Sequence, residues 1–217
     1  MQMALQFKEV FGHGGRRKGA GRKKAEKHLR KVSHDRRAHK GSLPVLVTVK
    51  VVEGVPNLRG PELGPAIGQH IRKQLGRHAG FQVTHFSILS NHLHFLVEAD
   101  SQQDLSRGMQ GLLSGSARVI NRLVGRRGKL WADRYHAQDI DNVAQARYSL
   151  RYVLCNIAKH GGPVGVDPMS SGVWFDGWVE QPPALVNSPV ARPRTWLLAH
   201  GWHEKGGGKL SIYDRPA

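Results

Sequence analysis

Two histidines, His92 and His94, flank Leu93 in a run rich in apolar and β-branched residues, HLHFLVEA. Side chains alternate across a strand, so both imidazoles leave one face and Leu93 leaves the other. Two imidazoles on one face are half a metal site; with 13 histidines in the chain, the pair alone is a weak signal. A second pattern lies downstream. Gln145, Tyr148, Tyr152, Asn156 and His160 recur every three or four residues and form one helical stripe, while Ala146, Leu150, Val153, Leu154 and Ile157 form another. Tyr152 and Asn156 stand one turn apart, so a phenol neighbours an amide oxygen able to complete a metal site. On an isolated helix the same spacing would read as a solvated face. Tyr148 shares the stripe one turn further from Asn156. His85, His136 and His160 read as surface or supporting residues. Arg134, in WADRY, either reaches a phosphate or lays its stem beside Trp131. Cys155 reads as a small buried apolar residue.

The elements that must position these groups follow from periodicity. Residues 43–52 (LPVLVTVKVV) read as a largely buried strand. Residues 61–77 read as a helix with Ile67, Ile71 and Leu75 on one face. FQVTHFSILS and HLHFLVEA form a hairpin of two strands turning at Ser90-Asn91. Residues 102–124 form a second amphipathic helix, 135–140 a short strand, and 142–159 a third helix stopped by Gly161, Gly162 and Pro163. Strand, helix, strand, strand, helix, strand predicts an α+β fold: a ferredoxin-like split βαβ antiparallel sheet with helices on one face, leaving the other face for a site. Residues 42–163 make this domain. Residues 164–217 read as an irregular extension that packs through Trp174, Trp178, Trp196 and Trp202.

Bulk charge bounds the partner. The 217 residues carry a formal +17 with a pI near 10.7, and residues 14–40 alone hold twelve Lys/Arg against Glu26 and Asp35, or +10. Residues 1–41 therefore read as a flexible basic arm, in which Arg16, Arg17, Lys18, Arg22, Lys23 and Lys24 contact a phosphate backbone. A polyanion, most often nucleic acid, is the implied partner. No apolar run is long enough to span a bilayer, and the N-terminus lacks a secretory pattern, so no membrane partner and a cytoplasmic location are expected. The single cysteine excludes an internal disulfide and a Cys-rich zinc ribbon.

SNHLHFLVEA followed by WADRYHAQDI and LRYVLCNIAKHG resembles the single-tyrosine HUH transposases of the insertion-sequence-200-like group, particularly those associated with repetitive extragenic palindromes (REP). The likeness covers roughly residues 43–162. It implies that His92, His94 and Asn156 hold a divalent ion, Mg²⁺ or Mn²⁺, and that Tyr152 is the nucleophile, with Tyr148 its rival or otherwise a DNA-contacting or packing residue. It further implies single-stranded, hairpin-containing DNA as substrate, a 5′-phosphotyrosine intermediate, strand transfer and a possible homodimer. A non-catalytic or domesticated nucleic-acid-binding protein is the alternative, since ferredoxin-like sheets also make RNA-recognition modules. Those modules expose aromatics where this chain has His92 and His94.

Overall fold

The computed structural model describes residues 39–41, 43–182 and 185–216. The alternating PVLVTVK segment forms β1 (Pro44–Lys50), and it is followed by α1 (Leu63–Arg72), β2 (Phe81–Ile88), β3 (His92–Ala99), α2 (Gln102–Leu123), β4 (His136–Asp139), α3 (Val143–Leu154) and α4 (Asn156–Lys159). The four strands form one sheet in the order β2-β3-β1-β4, with each neighbouring pair antiparallel. This is the ferredoxin-like arrangement: α1 carries the chain past one strand position, the hairpin fills that gap with β3, and α2 returns the chain to the free edge of β1.

Parity divides the sheet. Val45, Val47 and Val49 of β1 and Leu93, Phe95 and Val97 of β3 are buried in one core with Ile67 and Ile71 of α1 and Met109, Leu112 and Ile120 of α2. Burial of each such side chain contributes roughly 1.5–3 kcal/mol. Helix α2 starts where Ser101 accepts from the Asp104 backbone N–H at 3.1 Å. It packs closely because two positions lack a Cβ. An added Cβ would fall 2.1 Å from the Phe81 ring at Gly108 and 2.1 Å from the His70 ring at Gly115.

The even residues of β3 point the other way, and that face is not left open. Leu96 packs with Leu150, Val153 and Leu154 of α3 and with Phe175, Trp178, Leu198 and Trp202. The first two helices thus cover one face, and α3 with the C-terminal segment covers much of the second; apolar Leu96 in the middle of that face demands the cover. Two buried carboxylates fasten the segment. Asp167 accepts two bonds from the Arg59 guanidinium, at 2.9 and 2.7 Å. Glu98 accepts from the backbone N–H of Arg194 and of Thr195, both at 2.8 Å, and from the Thr195 hydroxyl at 2.7 Å. The tryptophans contribute unequally: Trp178 and Trp202 are buried, whereas Trp196 is 46% exposed.

Three local features differ from the periodicity. Helix α1 ends at Arg72, five residues early, and Leu75 is exposed in the turn closed by Gly76, whose φ of +70° suits glycine. The third helix breaks at Cys155, so Asn156 begins a separate turn. A β-bulge between Val83 and His85 shifts the parity of β2. Beyond it Phe86 and Ile88 continue the first core, Ser87 comes opposite His94, and His85 is buried near Ser171 and Phe175.

Burial pushes the His85 imidazole down to about 3. The unfolded chain accepts a proton near pH 6.5 that the folded chain refuses, so this group's contribution is intact above pH 6.5 and is lost as pH falls toward 3. Urea unfolding at pH 7, 6 and 5 should show His85→Leu losing less stability than the parent, by up to about 1.4 kcal/mol per pH unit. Identical acid slopes would mean that His85 is protonated in the folded protein.

Candidate active site

Two elements meet at the far face of the sheet. Strand β3 supplies His92 and His94, whose ring centroids are 4.7 Å apart. Helix α3 starts at Asn142, which accepts from the Gln145 N–H at 2.9 Å, and its buried Ala146, Leu150 and Val153 fix its rotation against the sheet. That rotation brings the Tyr152 ring to 4.8 Å from the His94 ring, edge to face. Just past the helix break, Asn156 is 1% exposed. His160 reaches the His92 ring at 5.3 Å.

Each imidazole is oriented through Nδ1. The His92 Nδ1–H donates to Asn91 Oδ1 at 2.7 Å, and His94 Nδ1 is 2.8 Å from the hydroxyl of Thr48, its cross-strand partner. His94 Nε2 is buried and has no hydrogen-bond partner among the described residues; the same holds for Asn156 Oδ1 and Nδ2. Unmatched buried polar atoms each cost about 1–3 kcal/mol. A nitrogen lone pair and an amide oxygen left unmatched beside a second imidazole form a donor set that a divalent ion fits.

Electrostatics favour the same state. Burial, followed by His92 and His160, lowers His94 to about 3; burial, His160 and Lys50 lower His92 to about 4. Both rings are neutral at pH 7, as metal ligation requires. The Tyr152 phenol is raised by burial and then by Tyr148, with the Asn156 amide opposing. The amide is near enough to be felt, but the contact falls short of hydrogen-bond geometry and leaves both of its polar atoms unmatched. The Lys159 ammonium lies 5.9 Å from the Tyr152 ring centroid.

The structure brings together His92, His94, Tyr152 and Asn156. Tyr148, 40% exposed, stacks on Tyr152 at 5.9 Å with an 18° interplanar angle. Arg134 is exposed, with its backbone N–H donating to the Asp133 carboxylate, and His136 is also exposed. Arg16, Arg17, Lys18, Arg22, Lys23 and Lys24 lie outside the described residues. Periodicity did not single out Thr48, which needs the β1–β3 register to be found, nor the orienting role of Asn91. It also passed over His200, His203 and Glu204, whose ligand-type atoms lie within 4.8 Å of one another at the protein surface.

Residues 62–155 match the family described as Transposase IS200 like. The chain is also similar to a solved structure of a REP-associated tyrosine transposase bound to a REP hairpin, with 20% identity and a TM-score of 0.52 over 64% of this chain and 82% of that one. At that identity the likeness establishes the fold. No curated protein matches the chain.

Replacing the buried amide by an apolar group of similar size removes the unmatched atoms. In metal-free buffer Asn156→Leu should raise stability by about 1–3 kcal/mol, read as a melting midpoint several degrees higher. A lower midpoint would show that the amide is satisfied in the apo-protein.

Proposed function

We propose that this chain, whose residues 62–155 match the family described as Transposase IS200 like, cuts and rejoins single-stranded DNA with Tyr152 as nucleophile and a divalent-ion site at His92, His94 and Asn156. One observation carries this reading: Tyr152 stands 4.8 Å from a His94 ring whose buried Nε2 is unmatched, beside an equally unmatched Asn156 amide. Bound there, Mg²⁺ or Mn²⁺ would polarise the scissile phosphate and offset developing negative charge. Two imidazoles make Mn²⁺ the better fit.

The chain's own groups do the rest. With Nδ1–H of His92 donating to Asn91 and Nδ1–H of His94 donating to Thr48, both Nε2 lone pairs are held in register for ligation. Burial keeps the Tyr152 phenol protonated at rest. On attack, Oη forms a bond to phosphorus, the bond from phosphorus to O3′ breaks, the phenolic proton is released, and O3′ takes up a proton. The products are a 5′-phosphotyrosine and a free 3′-hydroxyl; attack by a 3′-hydroxyl of a second strand reverses the chemistry and transfers the strand without ATP.

One chain supplies the phenol, both imidazoles and the amide, so a homodimer on this reading is two complete sites. Residues 1–41 act as a basic arm giving sequence-independent, salt-sensitive affinity in the cytoplasm, with Arg16, Arg17, Lys18, Arg22, Lys23 and Lys24 on phosphates. Residues 42–163 are the nuclease domain and 164–217 the extension that buttresses it. No described helix is long and apolar enough to cross a membrane. A hairpin-bearing DNA is the proposed substrate, by likeness to the neighbour solved with a REP hairpin.

Incubation with hairpin DNA from the flanks of the protein's own gene and Mn²⁺ should give a covalent adduct on a denaturing gel, absent for Tyr152→Phe. An adduct surviving that substitution would transfer the nucleophile to Tyr148, and tight binding without any adduct would leave a binding protein. Thr48→Val should weaken Mn²⁺ binding about 10–100-fold by calorimetry. Unchanged affinity in that variant would separate Thr48 from the metal site.

A further inference from the structure

The C-terminal segment carries a separate cluster of metal-ligating side chains, none of them shared with the site at His92, His94 and Asn156. Residues Leu197–Gly201 form a π-helical turn that runs directly into α5 (Trp202–Glu204). Within this stretch His200, His203 and Glu204 follow at intervals of three and four residues, the spacing that puts side chains on one helix face. A ligand-type atom from each lies within 4.8 Å of the other two. We propose that these three side chains hold a transition ion of the zinc type, whose binding fixes the turn that seats Leu198 and Trp202 against α3. The inference does not rest on the transposase reading.

The two faces of the turn differ in chemistry. Leu198 and Trp202 are buried in the core that they share with Leu150, Val153 and Leu154 of α3. On the other face His200 and Glu204 are exposed and His203 is half-buried. Two contacts already restrain the donor groups. The His203 ring meets the Trp202 ring edge to face at 4.8 Å, so the burial of Trp202 limits where this imidazole can point, and His200 Nδ1 lies 3.4 Å from a Glu204 carboxylate oxygen. Ligands at about 2.0–2.2 Å from a tetrahedral zinc stand roughly 3.3 Å from one another, so small side-chain rotations close the cluster onto an ion. His200 belongs to the π turn and His203 and Glu204 to α5, so the ion spans the junction and locks an uncommon helical geometry.

The donor set chooses the ion. Two imidazole nitrogens and a carboxylate oxygen suit zinc and its transition-metal neighbours, whereas Mg²⁺ prefers an all-oxygen shell. Three protein ligands leave the fourth tetrahedral position for water. Both imidazoles line a cavity of about 770 Å³, so water reaches the cluster and can fill that position.

The test uses calorimetry and thermal melting of the full chain in a His92→Ala/His94→Ala background, which removes the other ion site. Zn²⁺ should bind and raise the melting midpoint by several degrees, while Mg²⁺ at the same concentration leaves the midpoint where it was. Adding His200→Gln or Glu204→Gln, both at exposed positions, should weaken the tightest zinc binding by at least about 10–100-fold and abolish the rise in midpoint. Co²⁺ in place of zinc should give the intense visible absorption of a tetrahedral site, lost in the same variants. In the parent chain these substitutions should remove a zinc equivalent, which keeps the test open should the double substitution unfold the protein. Zinc affinity and midpoint rise that survive His200→Gln and Glu204→Gln would overturn the proposal and mark the cluster as a solvated helix face. Binding seen only at millimolar zinc would mean an adventitious ion only and overturn it equally, leaving the transposase reading untouched.

Discussion

Strand β3 is the member on which everything else depends, because its two parities serve incompatible ends. Leu93, Phe95 and Val97 anchor the core under α1 and α2, while His92, His94, Leu96 and Glu98 form a line on the opposite face. Along that line the chemistry changes. His92 and His94 lie together with His94 beside Tyr152, Leu96 seats α3, and Glu98 holds the C-terminal segment through Arg194 and Thr195. A one-residue slip in register would send the imidazoles into the apolar core and bring Phe95 out, so the burial that stabilises the fold also enforces the orientation of the site.

The site itself is a local departure from a well-satisfied interior. Most buried polar groups away from it are matched: Glu98 accepts several bonds, and Asp167 takes the Arg59 guanidinium in a bidentate pair, with Gln102 Oε1 and Arg151 Nε as exceptions among the described residues. Around Tyr152, by contrast, His94 Nε2, both polar atoms of Asn156 and the nearby Ser87 hydroxyl have no partner among the described residues. Such a concentration is costly for a marginally stable protein, and it is the pattern expected where a ligand supplies the missing partners. The lowered basicity of both imidazoles acts in the same direction, since a protonated ring could not ligate.

Much of this was legible before any coordinates. His92 and His94 were readable because strand parity is local, and Tyr148, Tyr152 and Asn156 because helical periodicity is local too. The element order carried the sheet topology, since βαββαβ has few right-handed solutions. What the chain hid depended on pairing. Thr48 meets His94 only through the β1–β3 register, and Ser87 faces the site only because the bulge after Val83 inverts the parity of β2. The break at Cys155 lies inside a favourable helical pattern that carries no stop residue. The far face looked vacant because residues after Val164 lack periodicity, yet Leu96 and Leu150 require a cover.

That cover ties stability to function. Helix α3 is clamped between the sheet and the C-terminal residues, with Leu150, Val153 and Leu154 sharing a core with Trp178, Leu198 and Trp202. The rotation of α3 decides where Tyr152 and Tyr148 point, and that rotation is fixed by contacts on both sides. Phe175 and Trp202 meet at 5.4 Å, and Phe175 also touches His85 behind β2, so the tryptophan-bearing segment reaches from the bulge to α3. Loosening this packing would first disturb the aim of the tyrosine, because α3 makes no strand-like hydrogen bonds to the sheet and depends on side-chain packing for its position.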